Sequence, residues 1–236
     1  MLKPDPAEVE GETVYTCEHC KRAYRTEGGF LNHMCAQKQR YMDRDLKHVK
    51  LGFFVYQRFY DISYKSTKPR TYDNFSKSQF YAAFVRFARY LLDINAVNPT
   101  GFVDFLLKMG LPIDKWQSPV VYDTYLRELV KRESSDAALE RNFLLMEHWA
   151  SESGEVWTDF FRKVQPARAV LWIRSGRISP WVIYTADSAD ELFTRFTPEQ
   201  MGLVQEALDP VFWTQKLAEN ETEVQAIRAV LKDSGL

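Results

Sequence analysis

The sequence predicts a mainly α-helical protein in which a small N-terminal module precedes a large helical domain. Three observations support this prediction. All three cysteines of the 236-residue chain lie between residues 17 and 35. Beyond residue 40, apolar side chains recur at intervals of three and four residues, which is the period of one helix face. Helix-start and helix-stop residues, chiefly serine, proline and glycine, separate these apolar stretches.

The cysteines and one histidine follow the pattern Cys17-x2-Cys20-x12-His33-x-Cys35. Zinc prefers four soft or borderline ligands in a tetrahedron, and a Cys-x2-Cys knuckle followed by a helix-borne histidine supplies three of them. Cys35 is the natural fourth ligand. Residues 15–37 resemble the two-Cys-two-His zinc-finger family, with the last histidine replaced by cysteine. The alternative is that the cysteines are reduced thiols without a metal.

One departure from this family concerns the last two ligands. A usual finger separates them by three to five residues, whereas only Met34 lies between His33 and Cys35. Side chains two positions apart on a helix do not face each other. We therefore expect the helix to end or unwind at Met34. Tyr24 and Phe30 stand where such a finger places its two small-core residues.

The finger is expected to be a poor reader of base sequence. The family contacts bases from helix positions −1, 3 and 6, which here are Thr26, Gly29 and Asn32. Glycine has no side chain for a base edge, and of the three only Asn32 could make a bidentate contact, to adenine. One finger spans about 3 bp. Recognition of phosphate or shape, or a purely structural role, fits better.

Basic charge is concentrated in and after the finger. Between residues 21 and 50, eight lysines and arginines stand against three acidic residues, a balance of +5, whereas the whole chain carries −1. Such segregation is the footprint expected for a nucleic-acid backbone, with a solvated helix face as the alternative. DNA is favoured over RNA. The residues predicted to contact nucleic acid are Lys21, Arg22, Arg25, Asn32, Lys38, Arg40, Arg44 and Lys47.

The rest of the composition is that of an ordinary globular protein. The chain is 45% hydrophobic and 14% aromatic, enough for one large or two small domains. No apolar run approaches the roughly 18 residues that a membrane span needs. Cysteines at metal spacing and a leaderless N-terminus favour the cytoplasm, or the host cytoplasm if the protein is viral. The expected organisation is a polar tail at 1–14, the finger at 15–37 and an all-α domain at 38–236, with 110–118 as the candidate subdivision.

We expect eight to ten helices in the helical domain. A strong helix is predicted from about Asn74 to Asp93, because its apolar residues recur on one face. Thr197 and Gln200 form a predicted capping box. The only predicted strand is short, at Trp181–Tyr184. Further helices are predicted at 99–109, 119–132, 135–151 and 156–175, the last with an interruption at Pro166, and others begin near 197, 209 and 220.

No familiar catalytic motif is present in the sequence. It contains no Gly-rich phosphate loop, no G-x-S-x-G elbow and no H-E-x-x-H pair. One segment of the helical body does combine arginine with tryptophan. The planar guanidinium of arginine can donate two hydrogen bonds to a phosphate, and tryptophan can stack on a base. Its candidate residues are Arg174, Arg177 and Trp181. Asp61 and Lys65 form a second candidate set for acid–base work. The alternative is that the tryptophan is core and the arginines are solvated.

Two short body stretches, 72–81 and 176–181, resemble the helical bacteriophage DNA base-hypermodification enzymes. Those enzymes look related to helix-rich DNA glycosylases and attach amine or amino-acid groups to activated thymidine derivatives in DNA. The resemblance implies an enzyme that acts on DNA. It brings no set of catalytic residues with it.

Three function classes follow. The leading interpretation is a zinc-finger nucleic-acid-binding protein with weak sequence selectivity, in which the finger and basic helix dock on phosphate. The first alternative is a DNA-modifying enzyme with the finger as its targeting arm. The second is a protein–protein adaptor. The sequence leaves open whether the helical body is catalytic.

Overall fold

The computed structural model describes residues 7–9, 12–64 and 69–236. Over these residues the chain is mainly α-helical, as predicted, with three short strands near the N-terminus and fifteen α-helices. Thirteen of these helices lie wholly within 38–236, more than the eight to ten expected there, because several predicted helices are divided into shorter ones. It divides into two compact units, Met1–Gln117 and Ser118–Leu236, here called the N-terminal and C-terminal units. None of the described helices has the length and apolar character that crossing a membrane requires.

The N-terminal unit begins with a small antiparallel sheet. Tyr15 on its second strand lies opposite Tyr24 on its third. Residues 1–14 were predicted to be a polar tail, but 7–9 form the first strand and 12–14 belong to the second. The strands, in spatial as well as chain order, are β1 (Ala7–Val9), β2 (Glu12–Thr16) and β3 (Ala23–Tyr24).

Six helices complete the N-terminal unit. They are α1 (Glu27–Leu31), α2 (Ala36–Met42), α3 (Lys47–Ser63), α4 (Tyr72–Lys77), α5 (Tyr81–Asp93) and α6 (Pro99–Lys108), with 3-10 turns at Asp43–Asp45 and Ile113–Lys115. The single helix predicted at 74–93 is wrong, because α4 and α5 are separate. Ser78 is extended between them (φ −62°, ψ 137°), and its hydroxyl accepts a hydrogen bond from the Phe80 amide at 3.1 Å.

Helices α3 and α5 pack closely around Gly52. A Cβ atom at this position would lie 3.2 Å from the Cα of Val85 and 3.3 Å from the Phe84 carbonyl oxygen. Both neighbours are backbone atoms, so glycine is what permits the crossing. The core beneath it is aromatic, and its fully buried members include Phe75, Phe84, Phe87, Phe102 and Trp116.

The C-terminal unit contains nine described α-helices. They are α7 (Pro119–Arg132), α8 (Ser135–Ser153), α9 (Phe160–Lys163), α10 (Pro166–Arg174), α11 (Pro180–Ile183), α12 (Ala189–Phe193), α13 (Pro198–Leu208), α14 (Pro210–Glu219) and α15 (Glu221–Asp233), with a 3-10 turn at Trp157–Asp159. The predicted bounds of α7 and the Thr197–Gln200 capping box are confirmed. The helix predicted at 156–175 is interrupted before Pro166, where the sequence had suggested a break.

The strand predicted at Trp181–Tyr184 is wrong. These residues belong mostly to α11, which starts with Pro180 and whose N-cap, Ser179, accepts a hydrogen bond from the Trp181 amide at 3.3 Å. All four helix residues are buried. A short run that is apolar on every side looks the same in sequence whether it forms a buried strand or a buried helix.

The turn from α10 to α11 is held by a buried ion pair. Arg141 pairs with Glu133, and their side chains are only 20% and 4% exposed. The Arg141 guanidinium also donates to the carbonyl oxygens of Gly176 and, at 2.7 Å, Arg177. The Ser179 hydroxyl donates to the other Glu133 oxygen at 2.6 Å. Arg141 thereby satisfies carbonyl groups that the end of α10 leaves without helical partners.

We expect Arg141→Met to destabilise the C-terminal unit by about 3 kcal/mol, because the Glu133 carboxylate would stay buried without its partner. Urea unfolding followed by circular dichroism measures this loss. Arg132→Met is the matched control, since the ion pair between Arg132 and Glu128 is largely exposed and contributes little. A loss for Arg141→Met no larger than for the control would contradict the assigned role.

Candidate metal centre and basic surface

The four predicted metal ligands form one cluster. One ligand atom from each of Cys17, Cys20, His33 and Cys35 lies within 4.8 Å of all the others. The Sγ atom of Cys20 is 3.2 Å from Nε2 of His33. Cys17 is buried and Cys20 is exposed, so the cluster lies at the surface of the N-terminal module.

The first two ligands sit on the tight turn between β2 and β3. The Cys17 amide donates to the Arg22 carbonyl oxygen at 2.9 Å, and the Lys21 amide donates to the Cys17 carbonyl oxygen at 2.8 Å. Lys21 adopts the left-handed conformation, with φ 61°. The turn therefore brings Cys20 back beside Cys17, which is the local geometry of a Cys-x2-Cys knuckle.

The other two ligands occupy a break between helices. Helix α1 ends at Leu31 and α2 begins at Ala36, so neither His33 nor Cys35 is bound to helical geometry. This confirms the prediction that the helix ends by Met34. Cys35 is extended (φ −95°, ψ 161°) and is the N-cap of α2. Its sulfur accepts a hydrogen bond from the amide three residues later, at 3.3 Å.

A small aromatic core supports the cluster from within the module. The ring of Tyr24 lies 6.3 Å from that of Phe30 and 4.8 Å from that of His33, measured between ring centres. The ring of Tyr15 also stacks on that of Phe30, with 6.0 Å between ring centres. The two predicted small-core residues therefore contact each other, and one of them holds the imidazole ligand.

The thiols influence one another's ionisation. Burial opposes ionisation of Cys17, but hydrogen bonds from the backbone amides of Cys20 and His19 outweigh it, so the pKa of Cys17 is lowered. The Arg22 amide lowers the pKa of Cys20, yet burial and the neighbouring thiols outweigh it and the pKa is raised. Thiolates this close repel each other unless a cation lies among them. A metal ion bound among the four ligand atoms would remove this repulsion, and their close grouping allows them to hold one.

The predicted nucleic-acid contacts fall into two groups. Two are half-buried and hold the local fold: Lys38 donates to the His33 carbonyl oxygen at 3.2 Å, and Arg40 donates to that of Ser76 at 2.6 Å. The Arg40 guanidinium also lies 4.4 Å from the centre of the Tyr81 ring. The remaining six are exposed: Lys21, Arg22, Arg25, Asn32, Arg44 and Lys47.

The three base-reading positions offer little to a base. The Thr26 hydroxyl is engaged as the N-cap of α1 and accepts from the Gly29 amide at 3.2 Å. A Cβ on Gly29 would come within 3.0 Å of that hydroxyl. Helix α1 is only five residues long, and Asn32 is its exposed C-cap. Asn32 is thus the one side chain of the three that is available.

Trp181 and Arg177 have structural contacts in the C-terminal unit. Trp181 is only 2% exposed and packs edge-to-face on Trp213, with 5.6 Å between ring centres. A ring buried in this way has no free face on which a base could stack. The Arg177 carbonyl oxygen accepts from Arg141. The structure therefore separates Arg174, which is exposed, from Trp181.

Arg174 lines a cleft of about 330 Å³ in the C-terminal unit. Helices α7, α10 and α13 form its walls, and its charged lining residues are Asp123, Arg127, Arg174 and Glu206. Sequence reasoning missed three of these four, because they come from distant helices and share no local motif. Asp61 is exposed in the last turn of α3, and Lys65 lies outside the described residues.

Comparison with known proteins assigns no family, because no family model, no curated protein and no solved structure matches the chain. The resemblance of 72–81 and 176–181 to phage hypermodification enzymes therefore has no support from relatives. The structure gives both stretches local roles. Thr71 caps α4 at the start of the first stretch, and the second is the turn clamped by Arg141.

We expect the purified protein to contain a single metal ion per chain, and Cys17→Ala to lose it, because Cys17 is the buried member of the ligand cluster. Elemental analysis after extensive dialysis measures the content. His19→Ala is the matched control: this histidine lies in the knuckle but outside the cluster, with its ring 5.2 Å from that of Tyr41. Full metal content in Cys17→Ala would contradict the site.

Proposed function

We propose that the protein binds nucleic acid through its N-terminal unit, with weak sequence selectivity, and that Zn²⁺ holds the binding module together. The observation that carries this proposal is the four-ligand cluster set among exposed cations. DNA is the proposed polymer, on the strength of the zinc-finger resemblance, and RNA is the comparison in every test.

Zinc is the metal that suits this donor set best. Three thiolates and one imidazole in a tetrahedron are a typical structural zinc site, and four protein ligands leave no open position for a substrate. Bound zinc would cross-link the Cys17–Cys20 turn to the break that carries His33 and Cys35. A module this small has little core of its own, so metal binding would also supply much of its folding free energy.

Exposed cations beside the knuckle support contact with phosphate. Lys21 and Arg22 lie directly after Cys20 and are exposed. No ion pair engages either side chain within the described residues, and Arg22 makes only a 5.6 Å contact with the Tyr24 ring. A side-chain cation that no carboxylate neutralises can pair with a phosphate and displace the small cation bound there. The release of these small cations makes the affinity depend on salt concentration. Weak selectivity follows from the occupied Thr26 hydroxyl and the missing side chain at Gly29.

We expect Lys21→Asn with Arg22→Gln to weaken binding to unrelated duplexes equally and to reduce the salt slope by about 2, roughly one for each phosphate that is no longer neutralised. Asparagine tolerates the left-handed backbone at position 21. Fluorescence anisotropy over a salt series measures both quantities. Lys232→Gln, an exposed lysine of the C-terminal unit, is the control. Salt-insensitive binding, or none to DNA or RNA, would overturn the proposal in favour of a protein adaptor.

Exposed apolar side chains favour the alternative that the N-terminal unit binds another protein. Leu31 and Met34, beside the ligand His33 in the chain, and Met42, at the end of α2, are 61%, 53% and 60% exposed. Large apolar side chains at a surface are suited to protein contact when they group together. Nucleic acid remains the favoured partner, because the same module carries exposed cations without carboxylate partners.

The second candidate function is an enzyme that acts on DNA, and the C-terminal cleft favours it. The Arg174 side chain makes no hydrogen bond or ion pair within the described residues, and it shares the cleft with Asp123 and Glu206. A free guanidinium beside two carboxylates in a concave site is a set that can bind an anionic group and move a proton.

If the cleft takes part, we expect Arg174→Ala to lower DNA affinity or any modification of DNA while leaving the melting temperature nearly unchanged, because the fold does not depend on a hydrogen bond from this exposed side chain. Anisotropy, nucleoside mass spectrometry of treated DNA and thermal unfolding provide the three readouts. Arg228→Ala removes the same charge from an exposed site on α15. If Arg174→Ala and Arg228→Ala behave identically, the cleft has no part in DNA binding or modification.

A further inference from the structure

The basic surface of the N-terminal unit does not end at α2. On α5, four positions exposed to solvent recur along one face, at Ala82, Arg86, Arg89 and Asp93, and Leu92 is exposed beside them. Arg86 and Arg89 are neighbours on that face, because residues three apart on a helix lie about 5–6 Å from each other. Neither arginine forms an ion pair with a carboxylate in the described part of the chain, and the face has Asp93 at one end.

Arg89 is oriented toward the start of α3. Its guanidinium donates to Nε2 of His48, 3.1 Å away. The close α3–α5 crossing at Gly52 allows this contact, since His48 and Arg89 each lie one turn from the crossing. Lys47, next to His48, is exposed and engages no carboxylate among the described residues. The start of α3 and the second half of α5 thus present cations side by side.

This face also adjoins the basic helix that follows the ligand cluster. Arg40 of α2 lies over the Tyr81 ring at the start of α5. The pKa of the Tyr81 hydroxyl is raised, chiefly by burial and also by the charge of Asp43, although the hydrogen bond with Tyr72 and the charges of Arg40 and Arg89 lower it. Besides Asp93, the acidic groups near these cations include Asp43, hydrogen-bonded to Gln39, and Asp45, shared by Arg44 and Lys50.

We propose that Arg86 and Arg89, with Lys47 and His48, form a second phosphate-contacting surface, so that duplex DNA bound at the metal module continues across the α3–α5 face. This inference rests on the proposed function and extends its footprint onto the helical body. Adjacent like charges destabilise a free helix, and a polyanion would relieve that repulsion. An anionic membrane is a poorer partner, because Phe84, Phe87 and Leu91 of α5 are buried in the core. Leu92, 45% exposed, is the one large apolar side chain that α5 itself offers at the surface.

The test uses the full chain with Arg86→Gln and Arg89→Gln together. We expect the salt slope for a long duplex to fall by about 2, one for each arginine that no longer meets a phosphate, equally for unrelated sequences. The melting temperature should change little, because the Arg89–His48 hydrogen bond that is lost is exposed and the repulsion between the two arginines is removed as well. Arg86→Lys with Arg89→Lys should retain the slope. Lys108→Gln with Lys115→Gln, exposed cations of the same unit, is the control and should change neither quantity.

The outcomes separate this inference from the function on which it rests. If Lys21→Asn with Arg22→Gln lowers the slope but the α5 variant matches its control, DNA binding stands and the second surface is wrong. If the wild-type protein binds neither DNA nor RNA, both are wrong. Binding to phosphatidylserine vesicles in place of DNA, abolished in the α5 variant, would show that the face meets a membrane and would overturn the inference.

Discussion

The two-residue step from His33 to Cys35 constrains the architecture of the whole N-terminal unit. Side chains two positions apart on a continuous helix point in different directions. His33 and Cys35 can therefore share one cluster only because the chain leaves α1 before them and starts α2 after them. The same cysteine that completes the ligand cluster then caps α2. Because α2 starts there, Arg40 reaches the Ser76 carbonyl oxygen and the Tyr72 hydroxyl reaches the Arg40 carbonyl oxygen. The spacing of His33 and Cys35 thus determines how the ligand cluster is joined to the helices that follow it.

Arginine has a second role that composition alone conceals. Three guanidinium groups close irregular backbone at helix ends: Arg40 at the end of α4, Arg141 after α10 and Arg195 on the carbonyl oxygens of Phe161 and Val164. Each replaces helix hydrogen bonds that the ending chain cannot make. Such arginines are part of the fold, and the charge available to a partner is smaller than a count of basic residues implies.

The sequence predicted what depends on local spacing and failed where distant residues decide. The ligand cluster, the capping box at Thr197 and the bounds of α7 follow from residues close together in the chain. The division of 74–93 is an exception, because it was missed although its cause is local: the Ser78 hydroxyl accepts from the amide two residues later. The Arg141–Glu133 pair, the burial of Trp181 and the cleft around Arg174 bring together residues from separate helices, and no periodicity in the sequence records such pairings.

The close backbone contact at Gly52 also limits which residues related proteins can carry at this position. A methyl group there would press on the main chain of α5, and main-chain atoms cannot rotate aside as a side chain can. Any lineage that keeps this helix crossing must keep glycine at position 52 or move two helices apart. When relatives of this chain are collected, that glycine is the position at which an alignment can tell a shared architecture from a shared cysteine motif.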